Sequence, residues 1–238
     1  VEQAVRSVLQ SKCTESVEVI VVDNASQDGS VSYLKKVLPG VTILESKENL
    51  GFAKANNLAL GKASGDKILF LNPDTIICDN TIQAFVDLVQ SNPHAGAAGV
   101  CMINADGTFA PESRRALPNP FVSFCKMSGL TAIFPKSRIF GRYYMKYLDR
   151  NKANRIQVIS GACFFIRKDI ALDLGGFDPA FFMYGEDIDL SYRLLKKGME
   201  NWYLPVTIMH YKGESTSKTS FRYVRTFYDA MIIFYRKH

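Results

Sequence analysis

ILFLNPDT, residues 68–75, decides how this chain is read. Four apolar residues that suit a buried strand run straight into Asn72, the φ-locked Pro73 and the carboxylate of Asp74. The core ends there, and polar groups are presented at one fixed spot. The same rhythm recurs outward from it. Upstream, SVEVIVVD (16–23) and VTIL (41–44) are short apolar runs, each followed by a helix-compatible segment, SQDGSVSYLKKVL (26–38) and NLGFAKANNLALGKA (49–63). Downstream come the helical DNTIQAFVDLVQS (79–91) and the apolar AGAAGVCMI (95–103). Such alternation predicts a parallel sheet covered on both faces, a three-layer α/β/α sandwich.

The ends of this pattern are less regular. VEQAVRSVLQSK (1–12) reads as an amphipathic helix with Val1, Val5, Val8 and Leu9 on one side, and no strand precedes it, so an edge or central strand is missing. From Asn104 to Val158 the rhythm breaks into a basic, aromatic, Pro-punctuated stretch, read as an excursion over the sheet. Order returns with the strand VISGACFFIRK (158–168), the short helix DIALDLGG (169–176), the loop FDPAFFMYG (177–185) and the helix EDIDLSYRLLKKG (186–198). In that last helix Ile188, Ser191, Tyr192 and Leu195 form the expected stripe, and Gly198 the stop. NWYLPVTIMHYKGES (201–215) is extended.

Composition bounds the function. A chain of 238 residues, 47% hydrophobic, can build a sizeable core, and no run of about 18 apolar residues or signal-peptide pattern appears. Five scattered cysteines without a CxxC pair argue against a disulfide framework or zinc knuckle and fit a reducing cytoplasm. The net charge of +6 is local: residues 104–158 hold ten Lys/Arg against three Asp/Glu, and residues 212–238 hold six against two. Nucleic acid, anionic lipid headgroups, a phosphorylated substrate and a merely solvated face all answer to such patches. No nucleic-acid-binding module accompanies them, so nucleic acid is not expected as a partner.

Ligands of α/β sheets bind outside the carboxyl ends of the strands, where Asp23 and Asp74 both fall. Asp74 suits a hard divalent cation, and Asn-Pro-Asp equally suits a plain turn. GEDIDL sets three acids at a helix start; capping explains one or two, and base chemistry beside the aromatic FFMYG loop is the alternative. His210 is either a histidine at the core edge or a second metal ligand. Gly51 offers close backbone approach, with Lys54 and Asn56 on the following helix, but GxGxxG, GxxxxGKS and GxSxG are all absent.

VVDNASQDGS, ENLGFAKANN, FLNPDT, ISGACFFIRKD, GGFDPAFFMYGEDIDLSYRLLKKG and MHYKGES occur in an order that resembles family 2 glycosyltransferases of the GT-A fold, their rhamnosyltransferase-like branch in particular, over roughly residues 1–215. The resemblance implies inverting transfer of rhamnose or another hexose from a UDP- or dTDP-sugar to a hydroxyl of a glycan or lipid-linked acceptor in bacterial surface polysaccharide synthesis, assisted by Mg²⁺ or Mn²⁺. It implies that Asp23 contacts the nucleoside, and that Asn49, Gly51, Lys54 and Asn56 line its pocket. Asn72 stands where the family has the first acid of its DxD motif. Asp74 and His210 would hold the metal, and Ser160 and Gly161 approach the sugar. Asp187 would be the base with Glu186 beside it.

On this reading residues 1–215 are the GT-A domain, with 104–158 on the acceptor side, and 216–238 are a C-terminal amphipathic helix. That helix, with Arg222, Arg225 and Asp229 opposite Phe227, Met231 and Phe234, either lies at the inner face of the cell membrane or packs on protein, docking on the domain or pairing with a partner. Arg114 and Arg115 reach a diphosphate or only water. The family's first strand is absent here, which reads as truncation. A donor pocket damaged by that loss would instead suit a non-catalytic nucleotide-sugar-binding or scaffold subunit.

Overall fold

The structure is a computed structural model describing residues 1–211 and 221–238. The Lys212–Ser215 end of the MHYKGES motif, the domain limit at 215 and the side chains of Arg222 and Phe227 lie outside the described residues. Helix α1 (Glu2–Leu9) leads to β1 (Ile20–Asp23), α2 (Ser30–Val37), β2 (Thr42–Glu45) and α3 (Gly51–Lys62). Then come β3 (Lys67–Leu71), β4 (Thr75–Ile76), α4 (Thr81–Ser91) and β5 (Ala95–Ile103). The excursion carries α5 (Pro120–Met127), α6 (Leu130–Ile133) and β6 (Asn154–Ile156), a short strand that sequence periodicity did not reveal. The chain continues through β7 (Cys163–Arg167), α7 (Lys168–Asp173), α8 (Glu186–Lys196), β8 (Glu200–His210) and α9 (Phe221–Lys237).

Two-residue periodicity builds the layers. Ile68 and Phe70 of β3 with Phe164 and Ile166 of β7 face α3, α7 and α8, while Leu69, Leu71, Cys163 and Phe165 face α4. Both faces are therefore covered, as expected for a three-layer α/β/α sandwich. The sheet is mixed rather than parallel, however: β1–β2 and β5–β8 pair in parallel, and β3–β7, β5–β7, β4–β8 and β6–β8 antiparallel. An antiparallel β7 packed on both faces has the same near-continuous apolar pattern as a parallel strand, so pattern alone could not assign direction. VISGACFFIRK is strand only from Cys163, because Ser160–Ala162 form the turn that enters it.

The main sheet runs β3-β7-β5-β8-β4, with β6 on β8, and β1–β2 form a separate sheet. Residues of both β1 and β3 line one cleft. In β8 the pairing with β5 steps from Leu204 to Thr207, leaving Pro205 and Val206 as a bulge. A proline without an N–H is accommodated in a central strand by that means.

Two helical stripes differ from expectation. In α1 the buried residues are Ala4 and Val5, with Val1 and Leu9 exposed. In α8 Leu190 and Leu194 are also inside, packed in the main core, while α9 covers a second side at Ile188 and Tyr192. Ala230 and Phe234 of α9 pack on Val158, Phe181 and Ile188, and Lys237 and His238 each reach the fully buried Asp189 at 2.8 Å. Of the two readings of this helix, docking on the domain is what these contacts display.

Phe85 is fully buried and stacks on Phe165, ring centroids 4.6 Å apart. Phe85→Ala should lower stability by about 3–5 kcal/mol, the cost of an aromatic cavity, measured as a urea midpoint shift at constant m.

Candidate active site

One cleft of about 1030 Å³ opens at the carboxyl ends of β1 and β3. Asp23, Asn72, Asp74 and His210 line it, together with Asn49, Gly51 and Asn56. Ser160, Gly161, Glu186 and Asp187 complete the wall. Lys54 is the exception among the residues singled out from sequence: it is exposed on α3 and does not line the cleft.

Strand pairing brings Asp74 and His210 together. Thr75 of β4 lies opposite His210 of β8, and Tyr211 N–H donates to the Asp74 carbonyl at 3.0 Å. His210 Nε2 is consequently 3.2 Å from Asp74 Oδ1, with both side chains largely buried. Adjacent ligands of an octahedral ion with bonds of about 2.1 Å stand about 3 Å apart, so this separation fits a shared Mg²⁺ or Mn²⁺. Among the described residues no group of three or more His, Cys, Asp or Glu could hold a metal. Two protein ligands suit a hard cation that takes its remaining positions from water and phosphate oxygens.

Across the cleft, α8 begins at Gly185, whose φ of +84° turns the chain into the helix. Asp187 in its first turn is held from three directions. Its Oδ2 accepts from Arg115 Nη2 at 2.5 Å and from Gly161 N–H at 3.1 Å, and Oδ1 accepts from Ile188 N–H at 2.8 Å. Arg115, read from sequence as a diphosphate or solvent contact, is thus the partner of Asp187. Burial opposes its charge, but the Asp187 carboxylate together with Tyr143 and Glu112 outweighs this and raises its pKa. No spacing rule joins positions 115 and 187; the backbone bridge between Arg115 and Val158 does so. Arg114 is spent inside, donating to the Leu148 carbonyl and lying over the rings of Phe109 and Tyr203.

Glu186 is buried, and its Oε2 has no hydrogen-bond partner. Burial, then the neighbouring Asp187 charge, push its pKa up to about 8. Two adjacent carboxyls are thereby differentiated, one ion-paired and one inclined to hold its proton.

The remaining residues shape the rim. Asp23 Oδ2 accepts from Ser26 N–H at 3.1 Å. Asn49 Oδ1 accepts from Asn24 Nδ2 at 3.0 Å and from Gly51 N–H at 2.9 Å, so Asn24, which sequence reading passed over, locks the two loops. Gly51 is required by protein rather than open space: at φ +73°, a Cβ would lie 2.6 Å from the Phe182 carbonyl oxygen. Asn56 donates to the Phe52 carbonyl, and Asn72 N–H to the Ala162 carbonyl. Ser160 Oγ faces Ala162 N–H at 3.4 Å.

A mixed three-layer sandwich with a carboxylate-lined cleft at its strand ends agrees with the GT-A fold. Residues 1–175 match the sequence profile of "Glycosyl transferase family 2", and the chain belongs to that family. It is similar to the N-acetylglucosaminyl-diphospho-decaprenol L-rhamnosyltransferase of Mycobacterium tuberculosis, 29% identical over 230 residues, covering 92% of this chain and 74% of the relative. It is similar also to rhamnosyltransferase WbbL of Escherichia coli, 27% identical over 188 residues, covering 73% and 66%. In fold it resembles the mannosyltransferase PcManGT of Pyrobaculum calidifontis, solved with GDP-Man and Mn²⁺, at a TM-score of 0.62 and 20% identity. The likeness covers 90% of this chain and 54% of that one, so the chain spans about half the length of that structure. It is therefore a family 2 glycosyltransferase with rhamnosyltransferases among its relatives.

Glu186 has a signature in stability. Folded, it keeps its proton until about pH 8; unfolded, it releases it near the ordinary value of 4.5. The folded state binds the extra proton between these values, so its contribution is complete below about 4.5 and is lost as pH rises through about 8. Urea midpoints from pH 5 to 9 should fall more steeply for wild type than for Glu186→Gln; parallel profiles would contradict the burial argument.

Proposed function

We propose that this enzyme transfers rhamnose or another hexose, with inversion, from a UDP- or dTDP-sugar to a hydroxyl of a glycan or lipid-linked acceptor. Asp187 serves as the general base. The observation that carries this reading is that Asp187 and the Asp74–His210 pair line the same cleft. The rhamnosyltransferase names of the two relatives support the sugar class, and the diphospho-decaprenol in one of them supports a lipid-linked acceptor.

Three donors act on Asp187, and they fix where its oxygens point. Arg115 is the strongest of these, a charge-assisted bond that sets the carboxylate before an acceptor arrives. The carboxylate takes the acceptor's hydroxyl proton as that oxygen bonds to the anomeric carbon, and the nucleoside diphosphate departs from the opposite face. Attack and departure on opposite faces invert the centre. Asp74 and His210 would hold Mg²⁺ or Mn²⁺, which when bound neutralises charge gathering on the diphosphate. Asp23, Asn49 and Asn56 face the nucleoside end, and Ser160 and Gly161 the sugar. The reaction would take place on the cytoplasmic side, where nucleotide sugars are made.

Two variants test the assignment with purified enzyme, Mn²⁺ and a panel of UDP- and dTDP-sugars. Asp187→Asn should lower kcat by about 10²–10⁴ while leaving donor KM within a few-fold, the mark of a lost base. Turnover at the wild-type rate would remove Asp187 from that role. Asp74→Asn should instead raise at least tenfold the Mn²⁺ concentration giving half-maximal rate, and an unchanged metal dependence would place the cation elsewhere.

A further inference from the structure

Residues 119–148 carry five Lys/Arg, namely Lys126, Lys136, Arg138, Arg142 and Lys146, and no Asp or Glu. All five are exposed. The same stretch exposes large apolar side chains: Met127 at 80%, Ile133 at 67%, Phe124 and Ile139 at 59%, with Phe121 and Phe134 about half exposed. Phe121, Phe124 and Met127 recur every three residues on α5 and so share one side of it, while Val122 and Cys125 fill the inside.

This exposure is built into a fixed scaffold. Asn119 Oδ1 caps α5 by accepting from Val122 N–H at 2.8 Å, with Pro120 at the first helical position. Thr131 Oγ1 donates to the Phe140 carbonyl at 2.8 Å, closing α6 onto the following turn. At Gly141 a Cβ would stand 2.4 Å from the Pro135 carbonyl oxygen, so the turn is as tight as glycine permits. Lys126 Nζ lies 3.9 Å from the centre of the Tyr143 ring, linking α5 to the return segment.

From this juxtaposition we infer that residues 119–148 form a docking surface for an anionic lipid bilayer. Headgroup phosphates match an all-basic, acid-free surface, and the boundary with the acyl chains accepts Phe, Met and Ile side chains that water and nucleic acid do not reward. Single-sign charge with apolar tips is the pattern of a helix lying in the interface. The surface is separate from α9, whose inner side is taken up by the domain. It is not separate from the cleft: Ala116 N–H donates to the Tyr143 carbonyl at 3.0 Å, next in sequence to the arginine that grips Asp187. A membrane met here lies on the acceptor side. Lipid binding stands independently of the transfer reaction, so either can fail without the other.

Co-sedimentation of the full chain with sonicated vesicles tests this. Vesicles of equal phosphatidylglycerol and phosphatidylcholine should retain it at least tenfold better than pure phosphatidylcholine, and 0.5 M NaCl should weaken retention. Phe124→Ser/Met127→Ser/Ile133→Ser and, separately, Lys136→Glu/Arg138→Glu should each reduce binding at least tenfold with unchanged urea midpoints, whereas Tyr228→Ser/Ile232→Ser on α9 should bind as wild type. Wild type left in the supernatant overturns the inference. So does triple-variant binding equal to wild type, or loss confined to the α9 variant. A concentration-dependent dimer abolished by the triple variant, without vesicle binding, would make this a self-contact and also overturn it.

Discussion

Two residues of strand pairing hold the site together. β4 is only Thr75–Ile76, yet its antiparallel register on β8 sets Thr75 opposite His210 and binds Asp74 to the residue after it. Neither Asp74 nor His210 would be near the other without that ladder, since 136 positions separate them in the chain. Pro73 contributes by fixing φ where β3 gives way to β4, and the Pro205 bulge lets β8 leave its pairing with β5 and resume it before reaching the rim. Backbone hydrogen bonds that are ordinary in themselves thus define where two side chains meet. Such placement is more rigid than a loop would allow, because slipping the register by one residue would turn His210 to the other face.

The opposite wall is organised by charge. α8 starts with three acids, and its N-terminal dipole favours them there, but the structure places them in different surroundings. Asp187 pairs with Arg115 at the cleft, and Asp189 turns inward to Arg193, Lys237 and His238. Glu186 alone is without a cation and shifts toward its neutral form. Repulsion within the cluster is relieved by separation, and the separation leaves one carboxylate facing the cleft with a fixed orientation.

The sequence was most legible where a single period governed it. Helices α3, α4 and α8 and the strands β3 and β5 lie within a few residues of their predicted limits, because each combines an apolar face with a terminating Gly, Pro, Asn or Asp. Strand direction was not legible, since β7 is packed on both faces and carries no alternation to distinguish it. Nor was β6, three residues inside a basic, aromatic stretch, paired through β8 rather than by any local signal. In the site, the carboxylates and His210 were visible as residue types at strand and helix ends. The Arg115–Asp187 bond was not, because pairing across 72 positions depends on the bridge from Arg115 to Val158. Gly51 was visible as a glycine that mattered, but for its contact with Phe182.

That bridge also explains why the excursion is more than a covering loop. Arg115 and Leu117 fasten its outgoing arm to Val158 and Gln157 on its returning arm, and Ala116 fastens the same arm to Tyr143. The returning arm leads within three residues to Gly161, a second donor to Asp187. Two of the three hydrogen bonds to Asp187 therefore come from the neck of this one insertion. Whatever displaces the exposed helices of the insertion acts on its neck through backbone hydrogen bonds rather than through side chains alone. A shift of a few tenths of an ångström there changes a 2.5 Å ion pair far more than it changes the apolar layers below, because charge-assisted bonds weaken steeply with distance and angle whereas packed cores resist deformation. Asp187 is thus held from the neck of the insertion, and the Asp74–His210 pair by the sheet.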